Sequence, residues 1–210
     1  TSGPLPAARR RRQPAINPRP GIRLPRGRNP ARAAAAGHFA SVLELPAEQR
    51  AYRSTWAAFM LGKTWLQKDP AQAIPFFEQT RTLAAEGFHD SLELAAASAG
   101  WAARAEMLSR AYVAAIHRYG ELENEACSSL RTVCSQALAE EQIDPALVQD
   151  DLSRQMVTAW LASRSDESNR QSGRTKTQKW LAALQNAQWE GVVPGADRLA
   201  WLSYQSGDME

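Results

Sequence analysis

The sequence predicts an all-α fold of antiparallel helical hairpins, and three observations carry that prediction. From Phe39 onward no run of alternating β-branched residues marks a strand, while apolar residues recur at a spacing near 3.6. The periodic stretches are bounded by helix punctuation: Asp-Pro at starts and Gly at ends. The spacers are mostly about two to six residues, too short for anything but antiparallel neighbours.

Residues 1–37 precede this body as an Arg/Pro-rich tail. Nine of the chain's 25 basic residues lie in 1–43, which holds no acid, so the remaining 16 stand against 22 acidic ones. A basic tail thus precedes an acidic body. Prolines remove backbone donors and disfavour helix in the residue before them, so extended or polyproline-like chain is expected here. Arg9, Arg10, Arg11 and Arg12 form a cluster fit for nucleic acid or an anionic surface. No aromatic is interleaved with them to stack bases. A solvated leader, or an arm lying on its own acidic body, fits the same residues.

The body's helices are expected over 39–45, 51–67, 70–86, 91–108, 111–122, 125–140, 145–164, 176–189 and from 196 onward, which divides the chain into a helical domain at 38–164 and further helices at 176–210. In "DPAQAIPFFEQTRTLAAEG", Asp69 is placed to cap and Pro70 sits where its missing N–H costs nothing. Pro75, about one turn in, should delete an early hydrogen bond. Gly87 ends the helix through a left-handed turn. Asp90 and Glu93 have capping-box spacing, and Asp144-Pro145 repeats the Asp-Pro start. "SRSDESNRQSGRTK" is polar and contains Gly and Ser, so 165–175 reads as a loop or hinge. The 44% hydrophobic content and seven Trp suffice for a packed core.

Ala58, Gly62 and Ala73 are spaced so that two helices approach closely, with Leu61, Trp65 and Phe77 around them. Trp65 recurs as Trp101 and Ala73 as Ala115, at unequal offsets, so the repeat is irregular. In "FMLGKTW", Ala73 and Phe77, and "LAAEGFHDSLELA", the chain resembles the tetratricopeptide and Sel1-like repeat superfamily, most clearly over 54–119. The resemblance implies an α-solenoid, a stack of hairpins whose first helices line a groove for a protein or peptide partner. In that register Trp56, Phe59, Lys63 and Leu66 face the groove or its rim. Packing of Trp56 and Phe59 under the preceding helix is the alternative. "LAWLSYQSGDME" resembles a further first helix and turn, with Ala200 at the small position, Tyr204 at an aromatic one and Gly207-Asp208 as the turn. On that reading the chain is a piece of a longer repeat protein.

Catalytic chemistry is not visible in the pattern. His38, His89 and His117 share no metal-ligand spacing with Cys or carboxylate, and no phosphate loop or nucleophile elbow occurs. Glu121, Glu123 and Glu125 read as a solvated charge run at a helix boundary. Cys127 and Cys134, about 10.5 Å apart along a helix, are too distant to bond and read with Leu130 as a core stripe. Trp56, Trp65 and Trp101 read as packing residues. No catalytic residue, cofactor or metal is therefore expected, and no run approaches the roughly 20 apolar residues of a membrane span. The expected role is a non-enzymatic scaffold for a protein or peptide. A non-catalytic superhelical module of a larger cell-envelope enzyme is the first alternative, and anion binding through the Arg tail the second. Richness in Ala and Arg is compatible with a bacterial chain, soluble as given, of the cytoplasm or the cell envelope.

Overall fold

The computed structural model describes residues 30–122, 126–163, 170–187 and 195–206, and among them are eleven helices and no strand. They are α1 (Pro30–Leu43), α2 (Ala47–Arg50), α3 (Ser54–Leu66), α4 (Pro70–Ala85), α5 (Leu94–Leu108), α6 (Tyr112–Gly120), α7 (Cys127–Ala137), α8 (Pro145–Gln149), α9 (Asp151–Ala162), α10 (Arg170–Gln185) and α11 (Ala196–Ser206). The all-α expectation is met. None of these helices is long and apolar enough to cross a membrane.

Packing is successive through the first half: α1 lies on α3, α3 on α4, α4 on α5, α5 on α6 and α6 on α7. In addition α3 touches α5 directly. From α6 onward the succession gives way to a cluster, in which α9 meets α6, α7, α8 and α11, and α10 meets α8 and α11. Two features explain the tight α3–α4 contact. Ala58 and Ala73 are fully buried, and Gly62 offers no side chain to the Phe77 ring lying against it.

Local chemistry accounts for most ends. Gly87 takes φ +90°, its N–H reaches Ala84 O at 3.1 Å, and Phe88 N reaches Leu83 O at 3.1 Å. That is the Schellman pattern, which glycine adopts without steric cost. The turn between α5 and α6 repeats it without glycine: Arg110 takes φ +64°, with Ala111 N bonded to Glu106 O at 2.9 Å. Asp144 caps α8 by accepting from Ala146 N at 2.9 Å, as expected.

Several expectations are corrected. The tail does not stay extended to residue 37, because α1 begins at Pro30, and Ala36 and Ala40 pack against Leu61. An alanine run has the highest helix propensity of any sequence, and here it also gains a partner surface. Arg9, Arg10, Arg11 and Arg12 lie outside the described residues. The stretch 51–67 starts as a helix only at Ser54, whose hydroxyl donates to Arg50 O at 2.8 Å. Asp69 makes no side-chain cap; its backbone carbonyl instead accepts from Gln72 N at 3.0 Å.

Asp90 and Glu93 do not form a capping box. Glu93 is left-handed at φ +53°, so the two Asp90 oxygens reach past it to Leu94 N and Ala95 N at 2.9 and 2.8 Å. The single helix expected at 145–164 is broken at Asp150, whose extended backbone ends α8 and whose carboxylate caps α9 through Ser153 N at 2.8 Å. The polar stretch 165–175 is helical from Arg170. Cys134 is buried as expected, but Cys127 begins α7 and is exposed. Ala200 is exposed rather than buried at a small position, and Leu202 of α11 is covered. Glu123, Glu125, Gly207 and Asp208 lie outside the described residues.

Candidate functional site

Of the residues singled out by the resemblance, Phe59 and Lys63 lie where α3 meets α5, Trp56 rests on α1 and Leu66 enters the core. On α3, Trp56, Phe59 and Lys63 recur three and four residues apart, the spacing of one helical face. Trp56 is 42% exposed and meets Phe39 of α1 edge-on, with centroids 5.0 Å apart. It is therefore a partly exposed residue resting on α1, not a core residue. Phe59 is half-buried and packs edge-on to Phe77 at 5.7 Å. Leu66 differs from expectation: it is 7% exposed and belongs to the core with Trp65, Ala73 and Phe77. Seven residues from Phe59, it points within about 20° of the same direction, but at the end of α3 that direction is covered by the core.

Lys63 leads to α5. Its Nζ lies 2.9 Å from the centroid of Trp101, and the Arg104 guanidinium carbon lies 5.8 Å from the same centroid. Trp101 is half-buried and also stacks on Phe77 at 6.5 Å and 26°. Partial burial, and then the charge of Arg104, hold the Lys63 amine below its ordinary value of 10.5. The residues expected to contact a partner do not include Trp101 and Arg104, and Trp101 is expected only to pack. An aromatic followed three residues later by an exposed Arg on an α-helix was the available signal.

The other polar clusters hold helices together. Glu106 and Glu78 clamp Arg118 from α5 and α4: the Arg118 Nη2–Glu106 Oε1 distance is 2.7 Å, and Nη1 donates to Glu78. The Glu106 hydrogen bond, with the charges of both acids, outweighs burial and raises the guanidinium above its ordinary value. Tyr112 donates to Glu140 Oε1 at 2.6 Å, while Arg110 pairs with that carboxylate at 3.1 Å. Burial first, then Glu140, push the Tyr112 phenol up to about 12. Burial likewise pushes the Cys134 thiol up to about 12, which leaves it protonated and unreactive at neutral pH. Among the described residues no three His, Cys, Asp or Glu side chains are grouped to hold a metal.

His117 Nε2 sits 2.9 Å from both oxygens of Asp150, tying α6 to the α8–α9 break. Burial alone would raise the Asp150 carboxyl, but the Ser153 N–H and His117 outweigh it and hold it below its ordinary 3.8. A group depressed by folding adds stability above its unfolded value and loses it as pH falls through the folded one. Asp150→Ala should therefore cost about 1–2 kcal/mol at neutral pH, mostly as a lost cap. That cost should shrink below pH 3.8, the carboxyl's ordinary value. Urea titrations of both proteins at several pH values check this; a cost that stays constant into acid contradicts it.

No protein-family model matches the chain, and neither a curated protein nor a solved structure matches it.

Proposed function

We propose that the chain is a helical-repeat scaffold of the α-solenoid kind, which binds a protein or peptide along α3 and α5 and performs no reaction of its own. The observation that carries this reading is the direct α3–α5 contact. It sets Trp56, Phe59, Lys63, Trp101 and Arg104 on neighbouring helices, with aromatic surface and charge left partly accessible after the core is filled. Aromatic side chains carry much of the energy of protein recognition because they lose little entropy for the area they bury. The successive packing of α3, α4, α5 and α6 supports the solenoid part of the proposal.

The test begins with a random peptide library displayed on phage and selected on the full chain. An enriched peptide, synthesised and added in excess, should slow amide hydrogen exchange in α3 and α5. Protection confined to α9–α11, or a library that never enriches, would defeat the proposal.

A further inference from the structure

Lys63 and Arg104 bring two like charges to one indole ring. Other cations of the described body, Arg81, Arg110, Arg118 and Arg154, each have a carboxylate within ion-pair distance. Lys63 and Arg104 have no ion pair and no hydrogen bond to the described residues; both lie by the Trp101 ring, and the Arg104 charge also reaches Lys63 and Tyr119. The ring's negative face attracts a cation but accepts none of the five guanidinium N–H groups in the geometry of a hydrogen bond. Both side chains therefore keep donors in hand, Lys63 partly buried and Arg104 exposed beside the same ring.

We propose that Lys63 and Arg104 form a receptor for a side-chain carboxylate of an acidic peptide, with Trp101 as its floor. This rests on the peptide-binding reading above and adds the chemistry of the ligand. An ammonium and a guanidinium converging on one carboxylate make charge-assisted hydrogen bonds, roughly twice as strong as neutral ones. The occupant relieves the repulsion between the two cations, so charge complementarity selects an acid. Phe59 and Trp56 continue the face along α3, which asks for an apolar residue near the acidic one. A nucleic-acid backbone would call for a run of cations rather than a single pair.

The same displayed library tests this, because its peptides are fused to the coat protein through their C-termini and can offer only side-chain carboxylates. Enriched peptides should contain Asp or Glu several-fold above the library frequency, close to an apolar residue. A synthetic, amide-capped version should lose about tenfold in affinity, some 1.4 kcal/mol, when its acidic residue becomes Gln or Asn. The protein variant Lys63→Gln/Arg104→Gln should lose a similar factor, and Lys63→Arg/Arg104→Lys should retain most of the binding. Thermal melting of each variant, expected to match the parent, separates a lost contact from a lost fold. Enrichment without acidic residues, or equal binding of the neutral peptide, overturns the carboxylate receptor and leaves the scaffold reading standing. No enrichment at all overturns both.

Discussion

Phe77→Ala is expected to lower the free energy of unfolding by about 3–5 kcal/mol, the range for emptying a buried aromatic site. Phe77 is fully buried, and its ring lies against Phe59 of α3, Trp101 of α5 and the bare backbone of Gly62. It is the wedge that fixes the distance between α3 and α5, so its loss also frees Trp101 to move. Gly62→Ala approaches the same site from the other side. A Cβ there would stand 2.6 Å from Phe77 Cε1, and the whole ring would have to shift. Overpacking of this sort costs about 1–3 kcal/mol. In the Phe77→Ala background that penalty should disappear, because the added methyl enters space the ring has left, and the double variant should be more stable than the sum of the two losses implies. Urea unfolding followed by far-UV circular dichroism checks all three proteins. A loss below about 1 kcal/mol for Phe77→Ala would remove the wedge from the explanation.

The fold was legible wherever the determining interactions are local. Gly87, Asp144 and Pro145 announce their helix ends because the relevant bonds span two to five residues. The end of α5, expected at residue 108, carries no glycine signal, and Arg110 takes the left-handed role there. Asp69 and Glu93 show the limit: both have the right residue type and spacing, yet Asp69 accepts through its backbone carbonyl, and the Asp90 carboxylate serves the start of α5 without Glu93. The start of α1 at Pro30 was missed for a related reason. Proline signals extended chain when it sits inside a segment and helix when it sits at the first position, and composition does not distinguish the two.

The candidate site was half legible. Trp56, Phe59 and Lys63 share a face by simple helical spacing, but one more turn placed Leu66 in the core. The meeting of Lys63 with Trp101 joins residues thirty-eight apart, and depends on how α3 settles on α5 across Phe77. No periodicity within either helix contains that information. The same holds for Arg118, whose partners Glu106 and Glu78 are 12 and 40 residues away.

Glu106→Ala should be the second severe lesion, at about 2–4 kcal/mol, because it strips a largely buried guanidinium of its main partner. Glu106 is nearly buried and Arg118 is about one-fifth exposed by side chain, so water reaches the cation only in part. Glu78 remains as a second acceptor, which keeps the cost below that of a wholly orphaned charge. Removing both members tells what the pair is for. Glu106→Leu/Arg118→Leu replaces a desolvated ion pair with apolar contacts, and such exchanges are often neutral or even stabilising. Stability in the double variant should therefore recover to within about 1 kcal/mol of the parent, a coupling that a double-mutant cycle reads directly. If it does recover, the cluster contributes orientation rather than net stability: it sets the register of α4, α5 and α6, and with it the placing of Trp101 and Arg104 beside α3. A double variant as unstable as Glu106→Ala would instead mean that α5 and α6 depend on these charges to associate at all, and the surrounding alanines of α5 do not supply enough apolar contact to hold them together.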